Sequence, residues 1–238
     1  MFGRKANKEK GKLVYAVLPA AGSARRMGGT NKLLLELCGK PVIQCTLEAF
    51  DRCEQIDGIV LCCRKEEIQP YQERCRTWGI SKPVMVVEGG ESRAHSVYQG
   101  VLACPEQVGY VAIHDAARPF ITPELIGKTV ETAKRDTAAA LAVPVKDSIK
   151  RIKDGRMVEN VDRDSIVAVQ TPQAFDIDLI RAALCHVLKN KIPVTDDCGA
   201  VEAIGQPSTI VQGDYNNIKI TTVEDIAVAE QIWKGRAE

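Results

Sequence analysis

The stretch Pro19-Ala20-Ala21-Gly22-Ser23-Ala24-Arg25-Arg26-Met27-Gly28-Gly29-Thr30-Asn31-Lys32 combines small residues with three cations. Small side chains let backbone N–H groups approach a polyphosphate closely, and Arg25, Arg26 and Lys32 can neutralise its charge. The chemistry implied is the cradling of a polyphosphate. The stretch is neither a Walker A motif nor G-x-G-x-x-G, because the glycine pair runs into Thr30-Asn31-Lys32. A flexible surface turn is the plainer alternative. Further polar segments follow along the chain: Gly89-Gly90-Glu91-Ser92-Arg93-Ala94-His95-Ser96, His114-Asp115-Ala116-Ala117-Arg118-Pro119, Asp162-Arg163, Thr171-Pro172-Gln173, Thr195-Asp196-Asp197 and Asn217-Ile218-Lys219.

The elements that must position these residues are legible as apolar runs of strand length. Leu13 to Leu18, Gly58 to Cys63, Pro83 to Val87, Tyr110 to His114 and Ala138 to Val145 read as strands buried on both faces. Adjacent Cys62 and Cys63 then point to opposite faces. Between the runs lie segments with helical spacing: Val42 to Arg52, Glu66 to Trp78 with Pro70 breaking or shifting it, Ser92 to Leu102, and Pro123 to Lys134 capped by Thr122. This alternation predicts an α/β fold, an open mostly parallel Rossmann-like sheet with helices on both faces. In such a sheet ligands bind beyond the carboxyl ends of the strands, which directs attention to Pro19 onward, Glu88 to Glu91 and His114 to Pro119.

One stretch breaks the alternation. Ser148 to Val161 carries Asp154-Gly155 between β-compatible flanks, a strong hairpin signal, but those flanks are polar. A two-stranded ribbon with so little apolar face is expected to pack across another subunit or on its own domain. Beyond it the spacing predicts a short strand at Ile166 to Val169, helices at Asp178 to Lys189, Asp196 to Ile204 and Val223 to Trp233, and a strand near Thr209 to Val211. The domain reading is a flexible basic tail over 1–12, either a frayed end or a phosphate-steering arm, and a single domain over 13–238 with a protruding arm at about 145–162.

Composition narrows the function classes. The chain has 238 residues, with 32 basic against 31 acidic side chains, which argues against a nucleic-acid coat, and 5% aromatics leave little for base-stacking platforms. With no run approaching the roughly 20 apolar residues of a membrane span, and charges from Arg4 to Lys12 where a signal peptide would be apolar, a cytoplasmic chain is expected. Nine cysteines without a C-x-x-C pair support neither a disulfide framework nor a zinc site.

Taken together and in order, these segments resemble the sugar-phosphate nucleotidyltransferases and, more narrowly, the 2-C-methyl-D-erythritol 4-phosphate cytidylyltransferase family, over about Leu13 to Trp233. Many family members carry a glycine where Ala24 stands and a proline where Asn31 stands. The resemblance implies transfer of a cytidylyl group from CTP to the polyol phosphate with release of pyrophosphate. It implies Arg26 and Lys32 on the CTP phosphates and Arg163 and Lys219 on the methylerythritol phosphate, the four forming the catalytic set. It further implies Ala20, Ala21, Gly22, Ser23, Gly89, Gly90, Ser96, Asp115 and Ala116 around the nucleotide. Around the acceptor it implies Asp115, Arg118, Ser148, Arg163, Thr171, Thr195 and Lys219.

Magnesium is the implied cofactor, with Asp115 as the protein carboxylate for the metal or for substrate hydroxyls. The family pattern also implies a homodimer through the arm, each site borrowing Ser148 or Arg163 from its neighbour, with neither nucleic acid nor membrane as partner. On the residues alone, Asp115 could be a loop cap, Ser96 a helix-surface serine and Arg163 a surface ion pair with Asp162 or Asp164. The histidines His95, His114 and His186 read as solvated or core residues, since attack by a phosphate oxygen needs no imidazole. Three competing functions stay open: a cytidylyltransferase for another polyol phosphate such as ribitol 5-phosphate, a catalytically silent nucleotide-binding protein, and a dinucleotide oxidoreductase, which the missing G-x-G-x-x-G disfavours.

Overall fold

The computed structural model describes residues 13–22 and 31–237. The basic tail and Ser23, Arg25 and Arg26 of the small-residue loop lie outside them. The chain begins with β1 (Leu13–Pro19), a short hairpin of β2 (Glu36–Leu37) and β3 (Lys40–Pro41), α1 (Val42–Arg52) and β4 (Gly58–Cys63). It continues through α2 (Ile68–Thr77), β5 (Val84–Glu88), α3 (Arg93–Ala103), β6 (Val108–Ile113), α4 (Pro123–Asp136) and β7 (Ala138–Pro144). The last third comprises β8 (Lys150–Lys153), β9 (Arg156–Asn160), β10 (Val167–Asp176), α5 (Ile177–Lys189), α6 (Asp197–Glu202), β11 (Thr209–Gln212) and α7 (Glu224–Ala237).

Seven strands form one sheet in the order β11-β7-β10-β6-β1-β4-β5. Neighbours pair in parallel except β10, which runs antiparallel to both β6 and β7. The mostly parallel α/β sheet expected from the apolar runs is the one observed. Strand alternation splits the core in two: Val14, Ala16 and Leu18 join Phe50, Leu61, Cys63 and Tyr71 on one face, while Tyr15, Val17, Cys62 and Val101 face Ile180 and Leu184 on the other. Cys62 and Cys63 thus do point to opposite faces. Each fully buried Leu, Ile or Phe in these layers contributes about 1.5–3 kcal/mol. A smaller cluster of Leu37, Val42, Phe120, Ile220 and Ala229 seats α7.

Thr122 caps α4 by accepting from Leu125 N, with Pro123 at the first turn, as the sequence predicts. Pro70 moves a helix start rather than breaking a helix. A 3-10 turn over Lys65–Glu67 comes first, and α2 opens at Ile68 with Pro70 in the first turn, where no intrahelical donor is lost. Two expected boundaries need correction. The strand placed at Ile166 to Val169 extends to Asp176, because Gln173 to Asp176 pair with β6. The helix placed at Asp196 to Ile204 is Asp197–Glu202, with Asp196 as its cap.

β8 and β9 form the anticipated hairpin, with Asp154 at φ 49° and Gly155 at φ 74° supplying the left-handed turn. Every residue of both strands is exposed. Among the described residues no helix is long and apolar enough to cross a membrane. All nine cysteines carry free thiols.

Candidate active site

The chain leaves β1 toward β4 and β5 on one side and later adds β6 on the other, so a crevice opens beyond the carboxyl ends of β1 and β6. A cleft of about 390 Å3 occupies it. Pro19 to Gly22 form one wall, Gly90 to Arg93 and Ser96 the opposite wall, with Asp115 to Ala117, Lys32 and Lys219 at the base and rim. A second cleft of about 310 Å3 adjoins it, lined by Arg118, Gln170, Thr171, Gln173, Thr195 and Asp196. Arg93, Asp115 and Lys219 line both.

The wall after β5 is built by close approach. A Cβ on Gly89 would lie 2.7 Å from Ala21 Cβ and 2.9 Å from Ser96 Oγ, and one on Gly90 would collide with His95. Ser92 caps α3 by accepting from His95 N. Ser96 Oγ accepts from Gly90 N at 3.1 Å and donates to Ser92 O at 2.9 Å, so this buried hydroxyl fixes the glycine turn. The helix-surface reading of Ser96 is thereby set aside. Gly89 packs behind the wall, whereas Gly90 lines the cleft.

Asp115 is the centre of charge. Its Oδ1 lies 3.0 Å from Arg93 Nε, and its Oδ2 lies 2.9 Å from Lys219 Nζ and 3.7 Å from Arg118 Nε. Burial pushes this carboxyl up, but Arg93, Lys219 and Arg118 together hold it well below the usual carboxylate range. It is ionised at any physiological pH, and the loop-capping alternative does not describe it.

Its backbone is held equally firmly. Asp115 N donates to Thr171 Oγ1 at 3.1 Å, Thr171 Oγ1 lies 3.0 Å from His114 Nδ1, and His114 Nε2 lies 3.2 Å from Arg118 O. Since a carbonyl can only accept, Nε2 carries the proton, Nδ1 accepts from Thr171, and the Thr171 proton is spent within the protein. Burial lowers the His114 pKa to about 4, consistent with this neutral tautomer.

Lys219 comes from the segment before α7, which Asn217 ties down by donating to Thr171 O at 2.9 Å and Gln170 Oε1 at 3.2 Å. Lys32 opens a 3-10 turn capped by Asn31, whose side chain accepts from Leu33 N and donates to Glu67 Oε1 at 2.8 Å. Lys32 Nζ donates to Ile220 O at 3.1 Å, which brings the loop lysine beside Lys219 although 187 positions separate them in sequence.

The structure therefore gathers Ala20, Ala21, Gly22, Lys32, Gly90, Ser96, Asp115, Ala116 and Lys219 around the first cleft and Arg118, Thr171, Thr195, Asp115 and Lys219 around the second. Ser148 and Arg163 stand apart from both clefts, at the two ends of the exposed arm. Arg163 Nη1 donates to Lys146 O at 3.1 Å, in place of the ion pair with Asp162 or Asp164. Reading the sequence for a site overlooked Arg93, Gln170, Gln173, Asp197 and Asn217. Arg93 and Asp197 sat inside segments already singled out, and a signal for their pairing was the presence of an unassigned cation and an unassigned carboxylate in two such segments.

Among the described residues no group of three or more His, Cys, Asp or Glu could hold a metal ion. Asp115, a carboxylate that lines both clefts, is the residue that would hold a hard cation there.

A family model described as 2-C-methyl-D-erythritol 4-phosphate cytidylyltransferase matches residues 14–235. The enzyme of that name from Halalkalibacterium halodurans is 43% identical over 217 residues, 91% of this chain and 95% of the relative. The one from Desulforamulus reducens is 41% identical over 226 residues, 94% and 97% of the two chains. Among solved structures, 4-diphosphocytidyl-2C-methyl-D-erythritol synthase from Anaerococcus prevotii superposes with a TM-score of 0.85 at 33% identity, covering 94% of this chain and 96% of the other. The Thermus thermophilus 2-C-methyl-D-erythritol 4-phosphate cytidylyltransferase gives a TM-score of 0.76 at 28% identity, covering 92% and 98%. With the fold and nearly the whole length of the sequence in agreement, the chain belongs to the 2-C-methyl-D-erythritol 4-phosphate cytidylyltransferase family.

Proposed function

We propose that the chain transfers the cytidylyl group of CTP to the phosphate of 2-C-methyl-D-erythritol 4-phosphate, giving 4-diphosphocytidyl-2-C-methyl-D-erythritol and pyrophosphate. The observation that carries this reading is the pair of clefts joined at Arg93, Asp115 and Lys219, which suits a nucleotide α-phosphorus and an acceptor phosphate meeting at a shared cationic junction. The first cleft takes the nucleotide, its narrow glycine-built wall admitting a pyrimidine ring. The second takes the acceptor, with Arg118 and Thr195 toward its phosphate and hydroxyls.

The attacking group is a phosphate oxygen already deprotonated at neutral pH, so the site needs no general base. What it must supply is alignment and positive charge that matters most as negative charge builds at the α-phosphorus. Lys32 and Arg26 serve the nucleotide side and Lys219 the junction. Asp115 keeps Arg93, Arg118 and Lys219 from repelling one another and orients them. Asp115 is the residue that would hold magnesium beside the nucleotide, where the ion would supply charge neutralisation for the leaving pyrophosphate.

The working enzyme is a cytoplasmic homodimer of one nucleotidyltransferase domain per chain. The exposed apolar residues Ile152, Met157 and Val158 give the arm something to bury against a second copy. Arg163 and Ser148 would then reach the acceptor of the neighbouring site. The decisive experiment supplies CTP, magnesium and either methylerythritol phosphate or ribitol 5-phosphate and follows pyrophosphate release. Turnover with the first and a steep fall with the second is expected; equal or better kcat/KM with ribitol 5-phosphate would reassign the acceptor. Sedimentation showing a monomer at micromolar concentration would remove the dimer.

A further inference from the structure

Arg93 is the first residue of α3, Asp197 the first residue of α6, and Asp115 follows β6, so three elements meet at one guanidinium. Arg93 Nε donates to Asp115 Oδ1 at 3.0 Å and Nη2 donates to Asp197 Oδ2 at 2.7 Å. A guanidinium has five N–H donors, so the two used here leave three. Arg93 is partly exposed and lines both clefts, which is where those three can be offered.

Asp197 lines neither cleft and is 1% exposed, and its Oδ1 is buried without a hydrogen-bond partner. A carboxylate so placed is costly, and its pair with Arg93 is poor value as a source of stability alone. Nor does it hold α6 in place. Gln173 does that, its Oε1 accepting from the backbone N of Asp197 at 3.0 Å and of Cys198 at 2.9 Å, while its Nε2 donates to Asp196 Oδ2 at 2.9 Å. The backbone of Asp197 is structural, which leaves its side chain to act on Arg93.

We propose that Arg93 is a further catalytic residue, contacting the phosphate oxygens where acceptor and nucleotide meet, and that Asp197 is the positioning residue that aims it. Clamped between two carboxylates on different elements, the guanidinium plane is fixed before substrate arrives, which leaves its three remaining donors for the clefts it lines without reorganisation. This inference rests on the cytidylyl-transfer reading, whose acceptor and nucleotide it uses.

Steady-state kinetics with CTP and methylerythritol phosphate test it on Asp197→Asn, Asp197→Glu, Arg93→Lys and the Arg93→Lys/Asp197→Asn double variant, with calorimetric CTP affinity alongside. Asp197→Asn keeps the shape and the backbone anchor, so it should lower kcat about tenfold or more while the KM for CTP stays within about twofold. Asp197→Glu should restore part of the rate. The double variant should be no more than about twofold slower than Arg93→Lys, because both changes disable one device. Multiplying losses, or wild-type kcat in Asp197→Asn, would overturn the inference. Should Asp197→Asn fail to fold, Arg93→Lys carries the test, and wild-type turnover there overturns it too. A wild-type chain that binds CTP but releases no pyrophosphate would overturn the cytidylyl-transfer reading and this inference with it, whereas active wild type with an indifferent Asp197→Asn overturns this inference alone.

Discussion

Arg93 and Arg163 carry the same guanidinium in opposite settings. Arg93 is gripped by Asp115 and Asp197 inside the sheet's carboxyl-end crevice, and its pairs raise its pKa against the opposing effect of burial. Arg163 is exposed at the end of the arm with a single backbone carbonyl, Lys146 O, as partner. The junction is built of charges that compensate one another around the buried carboxylates Asp115 and Asp197. The arm is built of exposed strands with surface pairs such as Arg151 with Glu159 at 2.7 Å, worth at most about 1 kcal/mol in water. The contrast teaches that a cation can be ready for phosphate in two ways: held in advance by its own chain, or left open to be placed by a second copy.

The largest effect expected at the junction is on rate. Lys219→Ala removes a donor from the shared boundary of both clefts, and kcat should fall roughly a hundredfold or more with a wild-type melting temperature. A variant that keeps near wild-type turnover would deny the junction its role. Lys32→Ala should behave alike, being placed beside Lys219 by the Ile220 carbonyl.

Acid stability separates the two regions next. His114 is buried and neutral with its pKa lowered from 6.5 to about 4, so the unfolded chain binds more protons than the folded one between those values. Stability should therefore fall as pH drops from about 6.5 to about 4, by roughly 3 kcal/mol from this residue. Asp115 works in the same direction at lower pH: its depressed pKa gives stability that is complete above about pH 5 and lost as the carboxyl protonates. Urea midpoints measured at pH 7, 5.5 and 4 should decline for the wild type, and His114→Gln should flatten the upper part of that decline. A wild-type profile level from pH 7 to pH 4 would contradict the buried neutral imidazole.

A smaller and more selective effect is expected at the arm. Arg163→Ala should raise the KM for methylerythritol phosphate about tenfold and that for CTP much less, and Arg163→Lys should recover part of the loss because a point charge replaces a fork. Equal rises in both KM values would break the contrast with the junction. The smallest change is Arg151→Ala, whose exposed pair with Glu159 should shift folding stability by less than about 0.5 kcal/mol in chemical denaturation. A loss above about 2 kcal/mol would show the arm to be structurally committed.

Much of this was legible in the sequence because local rules sufficed. Apolar runs marked β1, β4, β5, β6 and β7, Thr122-Pro123 marked the start of α4, and Asp154-Gly155 marked the arm's turn. The small-residue walls at Ala20 to Gly22 and Gly89-Gly90 were visible as composition. Less legible were elements whose partners are remote. β10 runs on through Gln173 to Asp176 because β6 and β7 lie on either side of it, and its own residues announce only the exposed start. The short pair β2 and β3 gave no signal strong enough to anticipate.

The sequence by itself determined the fold class, the order of the elements and the supply of phosphate-binding cations, because burial pattern, turn chemistry and residue type are carried by neighbours along the chain. Only the tertiary structure decided which cations meet. Arg93, Asp115, Arg118, Asp197 and Lys219 come from four separated segments, and their pairing depends on where β6, α3, α6 and the approach to α7 end in space. The same is true of Thr171, whose hydroxyl looks like a substrate contact in sequence but has its proton committed to His114 in the fold. Charge and hydrogen-bond satisfaction are properties of distance and burial, and these are set only when the sheet is assembled.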